Sequence, residues 1–232
     1  MIPISDSVRS RHFPIVNYLL IGASVLVFLF ELGLGRRLDA FVHAWGATPL
    51  AITAYLGHLG ERSPWPLVTL VTSLFIHAGW VHLLGNMLFL WVFGDNVEDA
   101  MGHLGYMVFY LASGIGAGLA QVALFADSRV PLIGASGAIA GVLGAYILMF
   151  PWASVSVLVP FFFFFTVIDV PALLLLGLWF LAQFFNGLAA VTYASHVTGG
   201  VGWWAHVGGF VLGMILMPFF RRRRFFTSKG NW

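Results

Sequence analysis

The 232-residue chain has no cysteine, which excludes disulfides, thiol catalysis, iron–sulfur centres and cysteine-ligated zinc. Charge is scarce too. Only 9% of residues are Asp, Glu, Lys or Arg, against 60% apolar, and a soluble domain of that composition would expose too much apolar surface. Other absences narrow the chemistry further. The only close histidine pair, His77 and His82, is five apart with no glutamate between, so the His-Glu-x-x-His helix of a zinc protease is missing. The nine carboxylates (Asp6, Glu31, Asp39, Glu61, Asp95, Glu98, Asp99, Asp127, Asp169) fall in expected loops or at span ends, which leaves no central pair for an aspartyl protease. The stretch Gly134-Ala135-Ser136-Gly137-Ala138 lacks the final glycine of a Gly-x-Ser-x-Gly nucleophile elbow.

What is there is a series of long apolar runs. Six reach the roughly 20 residues needed to cross a hydrocarbon core: Ile15 to Leu34, Leu74 to Gly94, Leu104 to Phe125, Leu132 to Phe150, Val170 to Thr192 and Gly202 to Phe220. The expected fold class is therefore an all-α integral membrane protein of six transmembrane helices. An even number of spans puts both termini on one side. Arg9, Arg11, Arg221 to Arg224 and Lys229 flank the bundle there, against Arg36, Arg37, Arg62 and Arg129 on the other side. The positive-inside rule then favours cytoplasmic termini. Basic residues gathered at ends and in loops, rather than along a stripe, also argue against nucleic acid as a partner. The first run is longer than a signal-peptide core and no small-residue cleavage site follows it, so it reads as a span. Leu158 to Ile168, with Pro160 and five consecutive phenylalanines, is too short to span and is expected at the cytoplasmic interface.

Glycines recur inside the spans, at 114, 116 and 118, at 137, 141 and 144, and at 209 and 213. Helices in lipid associate by close packing, so small residues at these spacings place spans three, four and six in contact. Polar residues inside the bilayer are costly and point to function. Ser136, His82 and His206 each fall within the first turn or two of spans four, two and six, which run in one direction. Asn86 shares a face with His82, four residues away. Independent segments thus bring polar groups to one depth on the outer side.

Serine needs a base, and neutral imidazole is the usual one near pH 7. His206 can take the Ser136 proton and return it to a leaving amine, while helix N-terminal amides, His82 and Asn86 supply donors for a tetrahedral oxyanion. With no carboxylate nearby, a serine–histidine dyad follows. A small transporter or channel with the same groups lining a polar path is the competing class, but the inner halves of these spans are apolar. A non-catalytic protein that binds membrane clients in the same cavity is the third.

Three motifs, His77-Ala78-Gly79-Trp80-Val81-His82-Leu83-Leu84-Gly85-Asn86, Gly134-Ala135-Ser136-Gly137 and His206-Val207-Gly208-Gly209 with Gly213, together resemble the rhomboid intramembrane serine proteases. The resemblance covers nearly the whole chain and implies a six-helix rhomboid-like bundle. It implies Ser136 as nucleophile, His206 as its base, and an oxyanion site formed by His82, Asn86 and the Ser136 amide. It also implies transmembrane protein substrates, and neither metal nor cofactor. Residues 1–14 are then a cytoplasmic segment, 15–220 the protease domain and 221–232 a basic cytoplasmic tail. A prokaryotic inner membrane is the expected location, since no evident organelle-targeting extension precedes the first span. One departure stands out: many rhomboids carry a Trp-Arg pair in the first loop, whereas here Pro66 follows Trp65.

Overall fold

The computed structural model describes residues 2–58, 63–161, 164–192 and 201–222. Helices α1 (Ile15–Gly33), α5 (Trp80–Met101), α6 (His103–Leu124), α7 (Ser136–Met149), α8 (Ala172–Thr192) and α9 (Trp203–Phe220) stand where the six apolar runs lie. Their ends differ from expectation in ways that matter. By length and composition α1, α6, α8 and α9 are each able to cross a membrane, whereas α5 qualifies only together with the Trp65–Phe75 segment before it, bent by 83°. By that measure, among the described residues, four helices are able to cross a membrane, or five if the bent pair is one span.

Helix α7 is the exception because it has no lipid face. At 14 residues it covers about 21 Å, short of a core about 30 Å thick. All but two of its residues, Ser136 and Leu148, are buried, as expected of a helix that is apolar all round. It packs most extensively on α9 and α6, which also pack on each other. The glycines explain this closeness. A Cβ on Gly209 would strike the Gly137 carbonyl, one on Gly213 the Gly141 carbonyl, and one on Gly144 the Phe210 carbonyl. Backbone meets backbone along this seam. The extended residues before α7 are tolerated at depth because they are covered by protein: Ala47 and Leu132 pair their backbones, and the Gly134 N–H donates to Ser73 O at 2.8 Å.

The first loop is folded. It contains α2 (Leu38–Trp45), α3 (Pro49–Gly57) and α4 (Trp65–Thr72). Trp65, which Pro66 follows, donates its indole N–H to Ala44 O at 2.8 Å and meets Trp45 edge-to-face. Thr72 Oγ1 donates to Trp45 O at 2.6 Å.

At the end of the bundle away from Ser136 lie a small sheet and a set of buried carboxylates. Leu158 to Ile168 belongs to a hairpin of β2 (Ser154–Phe161) and β3 (Phe164–Pro171), and the N-terminal residues add β1 (Ile2–Asp6) to give the order β1-β2-β3. Alternation of Ser154, Val155, Ser156 and Val157 favours a strand, with both valines fully buried. Phe164 and Phe165 remain outward and exposed; Phe162 and Phe163, like the basic tail beyond Arg222, lie outside the described residues. Asp95, Glu98 and Asp99, expected after span two as a solvated loop or a tie to a neighbouring helix, lie in the last turns of α5, where Glu98 and Asp99 are buried ties. Glu98 accepts from the Val16 and Asn17 N–H groups at 2.9 and 2.7 Å, satisfying orphan donors at the start of α1 where the helix dipole favours an anion. His103 Nδ1 lies 2.5 Å from Glu98 and His12 Nδ1 lies 2.5 Å from Asp99. A positive φ of 75° at Gly102 turns the chain sharply from α5 into α6. Asp6, in β1, accepts from Asn96 at 2.9 Å and from the Tyr146 hydroxyl. Burial pushes its carboxyl up to about 6 from the usual 3.8, against these hydrogen bonds, which pull it down.

Candidate active site

Ser136 is the first residue of α7, His206 the fourth of α9 and His82 the third of α5. The tight α7–α9 seam sets the first two side by side: His206 Nε2 lies 2.7 Å from Ser136 Oγ. The imidazole is buried at 9% exposure between two indoles, Trp179 with ring centroids 5.9 Å apart and Trp203 at 6.2 Å, edge-on. Its other nitrogen, Nδ1, is 2.8 Å from Gln183 Oε1.

His82 and Asn86 reach the same place from α5, one turn apart on one face. They border Gly134, two residues before Ser136: a Cβ there would sit 2.5 Å from His82 Nε2 and 3.6 Å from Asn86 Nδ2. Glycine is required at this point, both for that space and for its φ of +112°. The Ala78 N–H points at His82 Nδ1, 3.4 Å away, which leaves the His82 proton on Nε2, facing Gly134. Asn86 Nδ2 is buried and has no hydrogen-bond partner, an unspent donor where buried polar groups are normally paired. No side chain caps the first amides of α7. A nucleophilic oxygen, an imidazole and three sources of N–H donors thus converge, the elements that acyl transfer requires. Among the described residues no cluster of His, Asp or Glu is arranged to hold a metal ion.

A family model described as "Rhomboid domain" matches residues 64–223, a span that holds all three motifs. The chain belongs to the rhomboid family. Its similarity extends to "Rhomboid-like protein 11, chloroplastic" of Arabidopsis thaliana, 32% identical over 63% of this chain and 50% of that protein. It extends also to "Rhomboid protease GluP" of Bacillus subtilis, 37% identical over 57% of this chain and 24% of that protein. A third relative is "Rhomboid protein 1, mitochondrial" of Saccharomyces cerevisiae, 28% identical over 71% and 47%. The matched region spans half or less of the length of these three relatives. They come from a bacterium, a chloroplast and mitochondria, so the similarity establishes a rhomboid protein of a lipid bilayer without singling out the prokaryotic inner membrane.

Within this rhomboid fold the structure brings together all four residues singled out in the sequence, Ser136, His206, His82 and Asn86. Three other contributors were not assigned to the site from the sequence. Glu31, buried in α1, accepts from the His77 N–H at 3.3 Å to each oxygen, holding the turn that leads into α5. Gln183 and Trp179 sit four residues apart on α8, a spacing that puts them on one helix face, and in a span this apolar the polar Gln183, with Asn186 three residues on, is the signal that could have marked that face.

Proposed function

We propose that this rhomboid-family protein is an intramembrane serine endopeptidase that hydrolyses peptide bonds in or near transmembrane segments of other membrane proteins. The observation that carries the reading is the 2.7 Å contact between Ser136 Oγ and His206 Nε2, made across two helices and beside donors that have no other work. In the reaction Ser136 Oγ attacks the scissile carbonyl carbon and its proton passes to His206 Nε2. The carbonyl oxygen, now negative, accepts from Asn86 Nδ2, His82 Nε2 and the first amides of α7. The C–N bond breaks as His206 returns the proton to the leaving amine. Water, deprotonated by His206, then attacks the acyl-serine ester, frees the new carboxyl and restores the hydroxyl. No cofactor enters this scheme. Depth favours a membrane substrate: if the end of α7 reaches the far boundary of the hydrocarbon, its 14 residues place Ser136 about 9 Å below the near one.

Residues 15–220 are proposed as the protease domain, with both termini cytoplasmic and the Ser136 end facing outward. The test of function is purified protein in liposomes with a transmembrane substrate carrying small residues near its outer end. Cleavage at one site near that end is expected, and an intact substrate would overturn the reading. For orientation, the natural absence of cysteine allows single cysteines placed at Arg36 and at Ser10 to be labelled in intact cells by an impermeant maleimide. Arg36→Cys is expected to react and Ser10→Cys to be shielded; the reverse pattern would put the site at the inner face.

A further inference from the structure

We infer that Gln183 is a positioning residue for His206, the third member that the serine–histidine pair otherwise lacks; this rests on the protease reading above. The sequence offers no carboxylate for that place, and the carboxylates of α5 lie at the opposite end of the bundle. An amide oxygen is there instead, 2.8 Å from Nδ1, on a side chain that is itself buried at 8% exposure.

An amide oxygen carries lone pairs and no proton, so this contact is a hydrogen bond only when Nδ1 bears the imidazole proton. With the amide oxygen turned to Nδ1, the tautomer follows. Nε2 then presents its lone pair to Ser136 Oγ and accepts the serine proton. In the other tautomer, with the amide oriented as it is, two lone pairs would face each other in a buried site, and an Nε2–H would donate to Oγ, so the serine proton would have no acceptor. The indoles of Trp179 and Trp203 hold the plane of the ring from two sides, but an aromatic face does not tell ring nitrogen from ring carbon after a flip of the imidazole. The polar contact of Gln183 does. Trp179 and Gln183 are i and i+4 on α8, so one helix face supplies both constraints. The arrangement follows the general logic of a nucleophile, a base and a third group that orients the base.

The test combines a structural and a kinetic readout. In ¹⁵N-histidine-labelled wild-type protein, with the His206 signals assigned by their loss in His206→Ala, Nδ1 is expected to be the protonated nitrogen; an Nε2–H tautomer overturns the inference without any further variant. Gln183→Leu removes the acceptor. Its kcat is expected to fall about 10- to 100-fold, the scale of one hydrogen bond at 1.36 kcal/mol per decade, with KM within about twofold and the Nδ1–H signature lost. Gln183→Glu keeps an oxygen acceptor and is expected to recover kcat to within about threefold of wild type. Wild-type kcat or an unchanged tautomer in Gln183→Leu overturns the inference, as does failure of Gln183→Glu to recover activity at wild-type melting temperature. If wild type itself cleaves no transmembrane substrate, the protease reading falls; wild-type turnover with the wrong tautomer sinks the positioning role alone.

Discussion

Replacing Asn86 by alanine should separate catalysis from stability, because its donor is idle in the resting protein. Nδ2 is buried without a hydrogen-bond partner, so the substitution breaks no existing hydrogen bond. It forfeits some packing but also removes an unpaired buried amide, whose desolvation costs about 1–3 kcal/mol. The two effects oppose, and the net change in stability should stay within about 1 kcal/mol, or about 2–4 °C of melting temperature for a chain of this size. The transition state is different. There the donor meets a developing oxyanion, and loss of one such bond costs up to about 4 kcal/mol. His82 Nε2 and the α7 amides remain, so kcat is expected to fall by about 10- to 1000-fold rather than to the uncatalysed rate. The assay is cleavage of a fluorescent transmembrane substrate in proteoliposomes, with thermal unfolding measured on the same preparation. A kcat within threefold of wild type, or a loss of activity that tracks a melting temperature lowered by more than about 10 °C, would refute the assignment of this donor.

Other expectations concern the frame around the site. Gly209→Ala puts a methyl against the Gly137 carbonyl and should cost about 1–3 kcal/mol by overpacking, whereas Gly22→Ala in α1, with open space around it, should be neutral or slightly stabilising; equal melting temperatures for the two would contradict the close α7–α9 seam. Asp6, with its carboxyl raised to about 6 from 3.8, holds a proton in the folded protein that the unfolded chain has already released. Its contribution to stability should therefore be fully present below about pH 4 and lost as pH rises through about 6. Asp6→Asn should flatten that part of a melting-temperature profile between pH 4 and 7, and an unchanged slope would show that another group is responsible.

Features written as runs and periods were legible in the sequence, while features made by pairing distant residues were not. The apolar runs gave the helices, and the glycine spacings gave the contacts among α6, α7 and α9. The grouping of the candidate residues was readable because Ser136, His82 and His206 each sit near the start of a span, a coincidence visible in the sequence alone. The ends of the runs misled. Hydropathy carries span four back to Leu132, but Leu132 pairs with Ala47 and the chain turns at Gly134, with its φ of +112°, so the helix begins only at Ser136, and span two starts at Trp80 rather than Leu74 because the chain bends sharply between α4 and α5. Glu98 and Asp99 read equally as a solvated loop or a tie to a neighbouring helix, because the partners that bury them, around Arg11, His12, Val16 and Asn17, are more than 80 residues away. The strand Ile2–Asp6 pairs with residues 155–158, and Gln183 meets His206 across 23 positions; neither pairing leaves a local pattern.

The central claim is that Ser136 is a nucleophile activated by His206, and it is tested most directly by covalent labelling. Purified protein in liposomes would be treated with a fluorophosphonate probe and the modified residue located by mass spectrometry. Wild-type protein is expected to carry one phosphonyl group on Ser136. Ser136→Ala, whose methyl fits the helix start, should fold with unchanged melting temperature and take up none, and His206→Ala should fold and label at a small fraction of the wild-type rate. Labelling at another serine, or undiminished labelling of Ser136 in His206→Ala, would contradict the account.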